Sequence, residues 1–227
     1  DNGDYSLSFD GVDDYLLISS ETISNLNEAT FSFDVMTGNE PNNIIFLIPQ
    51  NWDGVQRGFS FSYHAELMNF GNGTDGGDYN PGYSNYFHIY NAGNTNSDIG
   101  ENIIYELMPN TTYKIDLVFK GENQEFILYV DRNLVGSVSN PAWTIISKPS
   151  IDSLSIGANF YYQNHFTNQS FQEIIFYNEA LTDFETIDEL NKQSHYKFNT
   201  GTGTTLYDHS GNGNHGTING ATWVENI

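Results

Sequence analysis

Cysteine is missing from the 227 residues, so no disulfide ties the chain together and no thiol chemistry is open to it. Cations are nearly as scarce: 7 Lys and Arg stand against 29 Asp and Glu, a formal charge of −22. A field of that sign repels DNA, RNA and anionic bilayers, which excludes nucleic acid as a partner. It suits a salty medium, divalent cations or neutral ligands. No apolar run approaches the ~18 residues of a membrane-spanning helix, so no membrane insertion is expected. No signal peptide is visible, and the chain opens on Asp1 rather than Met. That start is expected of a segment processed or excised from a larger multidomain chain.

What is present is aromatic and alternating. Apolar residues make up 38%, and 16 Phe with 15 Tyr can fill a sizeable core, so disorder is excluded despite many polar loops. Period-2 runs recur with turn residues between them. "YSLSFDG" puts Leu7 and Phe9 on one face, and "TFSFDVMTG" does the same with Phe31, Phe33 and Val35. "TYKIDLVFKG" alternates Tyr113, Ile115, Leu117 and Phe119 with polar partners. "EFILYVDRNLVGSV" reads as a hairpin turning at Asp131-Arg132-Asn133, and "SLSIGA" and "FQEIIFYN" add two strands. Many short strands with Gly and Asn between them predict an all-β sandwich of two antiparallel sheets. One short helix is expected in the C-terminal third, capped by Thr182 with Glu185 three residues on. Between about residues 51 and 102 the pattern loosens into Gly, Asn, Asp and Tyr. Such a segment either carries function or is a tolerated surface insertion.

The order of these runs has a counterpart. "YSLSFDGVDDYLLI", "FSFDVMTG", "YKIDLVFKGENQEFILYVDRNLVGS" and "FQEIIFYNEALTDFETIDEL" together resemble the laminin-G-like branch of the concanavalin A-like lectin/glucanase jelly rolls. In that family a segment like "HYKFNTGTGTTLYDHSGNGNHGTINGATW" comes first; here it comes last. It is either the start of a truncated second copy or the missing strand of the same domain. A half-domain would leave Tyr196, Phe198, Leu206, Ile218 and Trp223 unburied, at roughly 1.5–3 kcal/mol for each large side chain. The expectation is therefore one domain over 1–227, in circularly permuted order, with 195–227 folding back as the family's first strand and loop. The resemblance implies a secreted or cell-surface location and a role in carbohydrate binding or adhesion.

A calcium ion has two candidate locations. The loop from Asp208 places oxygen-bearing side chains at Asp208, Ser210, Asn212 and Asn214, the alternation a hard cation uses on a tight turn. The alternative is a Gly/Asn turn whose side chains cap its own backbone. The resemblance implies a second, structural site involving Asp10 and Glu173, although amides stand at Gln172 and Asn199 where the family usually carries acids.

Catalytic signatures are thin. Glucanases of this class carry a Glu-x-Asp-x-x-Glu strand, and no Glu here has an Asp two residues later. Lyase chemistry on uronic acids has few cations to draw on. His64 and His88 read as structural or ligand-contacting residues rather than catalytic ones. Tyr and Trp rings stack on the apolar faces of sugars, so Trp52, Tyr79, Tyr83, Tyr86 and His88 form the candidate ligand-binding set. The expected function is a non-catalytic glycan- or polysaccharide-binding module, calcium-stabilised. The competing readings are a structural spacer or virion- or adhesin-decorating domain and, more remotely, a glycan-cleaving enzyme.

Overall fold

The alternation is realised as two facing antiparallel sheets. The computed structural model describes residues 5–39, 44–49, 59–65, 85–91, 100–141, 143, 145–146, 153–159, 165–182 and 192–226. In chain order the strands are β1 (Tyr5–Ser8), β2 (Tyr15–Ser19), β3 (Glu28–Met36), β4 (Ile44–Pro49), β5 (Phe59–His64), β6 (Tyr86–Asn91), β7 (Gly100–Ile104), β8 (Thr112–Lys120) and β9 (Glu125–Val130). They continue as β10 (Asn133–Ser139), β11 (Ser153–Ile156), β12 (Ala158–Asn159), β13 (His165–Phe166) and β14 (Ser170–Tyr177). The last four are β15 (Lys192–Tyr196), β16 (Thr205–Leu206), β17 (Gly216–Asn219) and β18 (Thr222–Glu225). The first sheet runs β10-β9-β8-β3-β14-β1-β18, with β15 also paired to β14. The second runs β16-β17-β2-β11-β4-β5-β6-β7.

Phenyl rings fill the space between the sheets. Phe31 and Phe33 of β3 meet Phe59 and Phe46 of the second sheet at ring-centroid distances of 4.9 and 5.0 Å. Phe59 also stacks on Phe126 at 5.4 Å. These rings are fully buried, and each is worth about 2–3 kcal/mol in area removed from water. The polar partners Ser32 and Asp34 of β3 point to the outer face, as period 2 requires. The β9–β10 hairpin turns at Asp131 and Arg132, with φ of 50° and 62°. Two positive φ values make the turn whose twist matches the flanking strands.

Strand β14 departs from strict alternation. Phe171 opposes Val35, yet Glu173 opposes Asp34, so one extra residue is inserted. Without that bulge Glu173 would share the inward face of Phe171. With it, Glu173 turns outward while Ile174 and Phe176 return to the core.

Three strands of the C-terminal run pair with earlier ones, β15 with β14, β17 with β2 and β18 with β1, while β16 pairs with β17. Tyr196, Phe198, Leu206 and Ile218 lie in the same buried cluster as Leu7, Phe31 and Phe61, and Trp223 packs against it. Pairing begins at Lys192, three residues before the boundary expected at 195. The helix expected after Thr182 lies outside the described residues. The segment leading to it crosses the outer face of the first sheet, where the Thr30 hydroxyl donates to Glu179 O and accepts from Leu181 N. Among the described residues no helix is long and apolar enough to cross a membrane.

Candidate functional site

The outer face of the second sheet carries an unusual row of neutral polar groups. Strand β5 reads "FSFSYH", so Phe59, Phe61 and Tyr63 enter the core while Ser60, Ser62 and His64 point outward. These outward residues are nonetheless buried, at 5–6% exposure. Ser62 Oγ and His64 Nε2 are 2.8 Å apart. The His64 ring lies 5.4 Å from Tyr86 and 6.4 Å from His88 of β6. On β7, Asn102 stands directly opposite His88, and its Oδ1 accepts from His88 Nδ1 at 2.8 Å. That bond leaves Nε2 as the acceptor of the ring. Burial lowers the His88 pKa against the opposing pull of Asn102, so the imidazole is neutral at pH 7.

Gly100 makes the ring position possible. A Cβ there would stand 2.3 Å from His88 Cε1 and 2.8 Å from Nε2. The row grades from buried Ser62 and His64, through half-buried His88, to exposed Asn102, with Ile104 60% exposed beside it. These polar groups thus become more exposed toward β7. Serine, histidine and amide side chains offer donors and acceptors without net charge, which suits hydroxyl-rich neutral molecules.

Trp52, Tyr79 and Tyr83 lie outside the described residues. Tyr86 and His88 are brought together with His64, but Tyr86 is only 2% exposed. Its ring packs on His64 within the sheet and offers no open stacking face, a correction to its role as a sugar platform. Ser62 and Asn102 were not singled out from the sequence. Their signal was the outward phase of β5 and β7, legible only once those strands are known to flank β6.

The expected metal ligands fall into three separate groups. Asp208 is 8% exposed and its carboxylate is fully engaged. Oδ1 accepts from the backbone N–H of His195 at 2.8 Å and of Ser210 at 2.9 Å. Oδ2 accepts from Ser210 Oγ at 2.8 Å and Asn214 N at 2.9 Å. Asn212 and Asn214 turn their amide nitrogens to the carbonyls of Lys192 and Gln193. Burial alone raises the Asp208 pKa, but these donors carry it below the ordinary carboxylate value. A cation needs the oxygens that here face N–H groups, so the loop does not fit calcium. It is a self-capped turn that ties β15 to the Asp208 loop.

Glu173 is likewise engaged. Its Oε1 accepts from His195 Nε2 at 2.8 Å, and Oε2 lies 3.8 Å from Lys114 Nζ. Asp10 lies beyond the opposite end of the β1–β14 ladder, roughly 15 Å away at ~3.3 Å per residue, so the two do not share an ion. Asp10 instead joins Asp13 and Asp14, with carboxylate oxygens within 4.8 Å of one another. Asp10 Oδ1 accepts from Val12 N and Asp14 Oδ2 from Asp10 N, at 2.8 Å each. The remaining oxygens fit the donor chemistry of a hard cation. Burial, with Asp10 and Asp13 adding repulsion, raises the Asp14 pKa against the Asp10 amide bond, and a cation would relieve that strain.

The architecture has solved counterparts. A candidate carbohydrate-binding protein from Bacteroides ovatus superposes over 99% of this chain with a TM-score of 0.69 and 13% identity. The chain has the jelly-roll sandwich fold. It spans 60% of the length of that protein. A heptameric SAP-like pentraxin from Limulus polyphemus matches over 80% of this chain and 79% of its own, with a TM-score of 0.55 and 15% identity. The CBM40 module of the Ruminococcus gnavus IT-sialidase, bound to α2,3-sialyllactose, matches over 78% of this chain and 93% of its own, at 0.52 and 12%. No protein-family model and no curated protein matches the sequence.

Proposed function

We propose that the chain is a non-catalytic carbohydrate-binding module that receives a neutral glycan on the outer face of its second sheet, at the β6–β7 edge. The observation that carries this reading is the Ser62–His64 and His88–Asn102 row. These neutral hydrogen-bonding groups lie on the outer face of the sheet and grow more exposed toward β7, the last strand of that sheet among the described residues. The carbohydrate-binding descriptions of two fold neighbours support the ligand class, and the charge of −22 favours a neutral sugar over an anionic one.

The reading extends to calcium at Asp10, Asp13 and Asp14 as a stabilising ion. It also takes the chain as one domain in permuted order, supported by the pairing of β15, β17 and β18 with β14, β2 and β1. A secreted or surface-exposed location within a larger multidomain protein follows from the same reading. A broad array of algal, plant and host glycans, read with and without millimolar calcium, tests it. Binding to neutral glycans at micromolar to millimolar Kd is expected, roughly −4 to −8 kcal/mol. A blank array would favour a structural spacer.

A further inference from the structure

Outside the glycan face, the outer side of the first sheet carries a second constellation. Three side chains stand in one row across three neighbouring central strands. Lys114 of β8 lies directly opposite Asp34 of β3, and Asp34 lies directly opposite Glu173 of β14. Lys114 Nζ is 2.8 Å from Asp34 Oδ1 and 3.8 Å from Glu173 Oε2. All three side chains are about a quarter exposed, at 23–26%. The β3–β8 register is unbroken from Glu28↔Lys120 to Met36↔Thr112, so the amine and the carboxyl are held side by side by a continuous ladder. The β14 bulge alone turns Glu173 outward to complete the row, and bulges that re-aim a side chain cluster at functional positions.

We infer that Lys114 and Asp34 condense to an intramolecular amide, with Glu173 relaying the proton. The balance is simple: an ammonium and a carboxylate become one N–C bond and one water, with no redox partner. Glu173 takes a proton from Lys114 Nζ and the freed amine attacks Asp34 Cγ. That proton, and a second one lost from the nitrogen once the N–C bond has formed, both pass through Glu173 to one Asp34 oxygen, whose C–O bond then breaks to release water. Both reactants belong to the chain, so effective concentration replaces substrate binding.

The surroundings fit this chemistry. Burial raises the Asp34 pKa against the pull of Lys114, which makes proton transfer to its carboxylate in the relay less costly. Burial works to lower the Lys114 pKa, but Asp34 raises it overall, so the resting state is an ion pair and the proton relay is the needed step. Glu173 is oriented by His195 Nε2 at 2.8 Å, and Lys192 Nζ lies 3.4 Å from the other ring nitrogen. Asp116 and Arg132 are further charged neighbours of the pair, as is Asp131, whose Oδ1 accepts from Lys114 N at 2.9 Å. Asp116 Oδ2 is buried with no hydrogen-bond partner, and burial keeps that acid protonated more readily than usual. A lone ion pair this exposed adds little stability. A covalent tie across 80 residues of sequence would do for a cysteine-free chain what a disulfide does elsewhere.

Intact-mass spectrometry of the denatured, purified full chain tests this directly. The wild type should be lighter than its sequence mass by one water, and a protease digest should contain a branched peptide joining Asp34 to Lys114. Lys114→Arg keeps the charge but cannot form the amide, and it should return to full mass. Glu173→Gln should remain folded by circular dichroism and stay largely uncrosslinked. A wild type at full sequence mass overturns the inference and leaves an ordinary ion pair. A water loss that persists in Lys114→Arg does the same, since it would arise elsewhere, for instance at an Asp-Gly step.

Discussion

The Asp208 carboxylate accepts from the backbone N–H of His195, 13 residues earlier, at 2.8 Å. One side chain thereby closes its own loop and anchors it to β15. Asp208→Asn keeps one acceptor but turns a nitrogen toward Ser210 Oγ and Asn214 N. Charge-assisted hydrogen bonds are worth about 1.5–3 kcal/mol each, so a loss of about 2–4 kcal/mol is expected in chemical denaturation. The pH dependence follows from the lowered pKa of Asp208. Its contribution is fully present above the unfolded value near ~3.9 and is lost as pH falls through the still lower folded value. The stability gap between wild type and variant should therefore stay constant above about pH 5 and close below about pH 4. A gap that is unchanged down to pH 2 would contradict this account of the loop.

Deleting Tyr196–Ile227 removes Tyr196, Phe198, Leu206 and Ile218 from the core and leaves β1 and β2 without their outer partners. At roughly 1.5–3 kcal/mol per large side chain, the loss matches the whole stability of an ordinary domain. The truncated protein should aggregate or fail to fold. A soluble truncation with an unchanged melting temperature would refute the permuted single-domain reading.

Gly100 is exposed and lies on an edge strand, so the stability cost of Gly100→Ala should be limited to about one hydrogen bond, ~0.5–1.5 kcal/mol. Its new Cβ must nonetheless displace the His88 ring and break the bond to Asn102. Glycan affinity should fall roughly three- to tenfold, measured by calorimetry with a sugar identified on the array. Unchanged affinity would remove His88 from the site.

Calcium at Asp10, Asp13 and Asp14 should stabilise the fold by about 2.7 kcal/mol at a hundredfold excess over Kd. For a chain of this size that is roughly 5–10 °C in the thermal melt. EDTA should abolish the increment, and Asp13→Asn should remove it while leaving the EDTA melt in place. Identical melts with calcium and with EDTA, and no calcium by elemental analysis, would discard the ion.

The sandwich was legible because each strand carries its phase in its own residues: Phe31-x-Phe33-x-Val35 needs no partner to say which face is inward. The β14 bulge was not, because Phe171 and Ile174 sit three apart and only the register against Val35 and Asp34 explains the spacing. The Asp208 loop misled for a related reason. Asp, Ser and Asn at alternate positions serve a cation or the backbone N–H groups equally well, and which of these the oxygens meet is set by β15. The polar row on β5 to β7 depended on strand order, since Ser62, His88 and Asn102 become neighbours only when those strands lie side by side.

Amide chemical-shift mapping on isotope-labelled protein, titrated with the strongest neutral glycan from the array, tests the central claim most directly. The predicted result is a saturable set of shifts centred on Ser62, His88, Gly100 and Asn102, with Kd between micromolar and millimolar. Shifts confined to another face, or none at millimolar sugar, would contradict a glycan site on the second sheet.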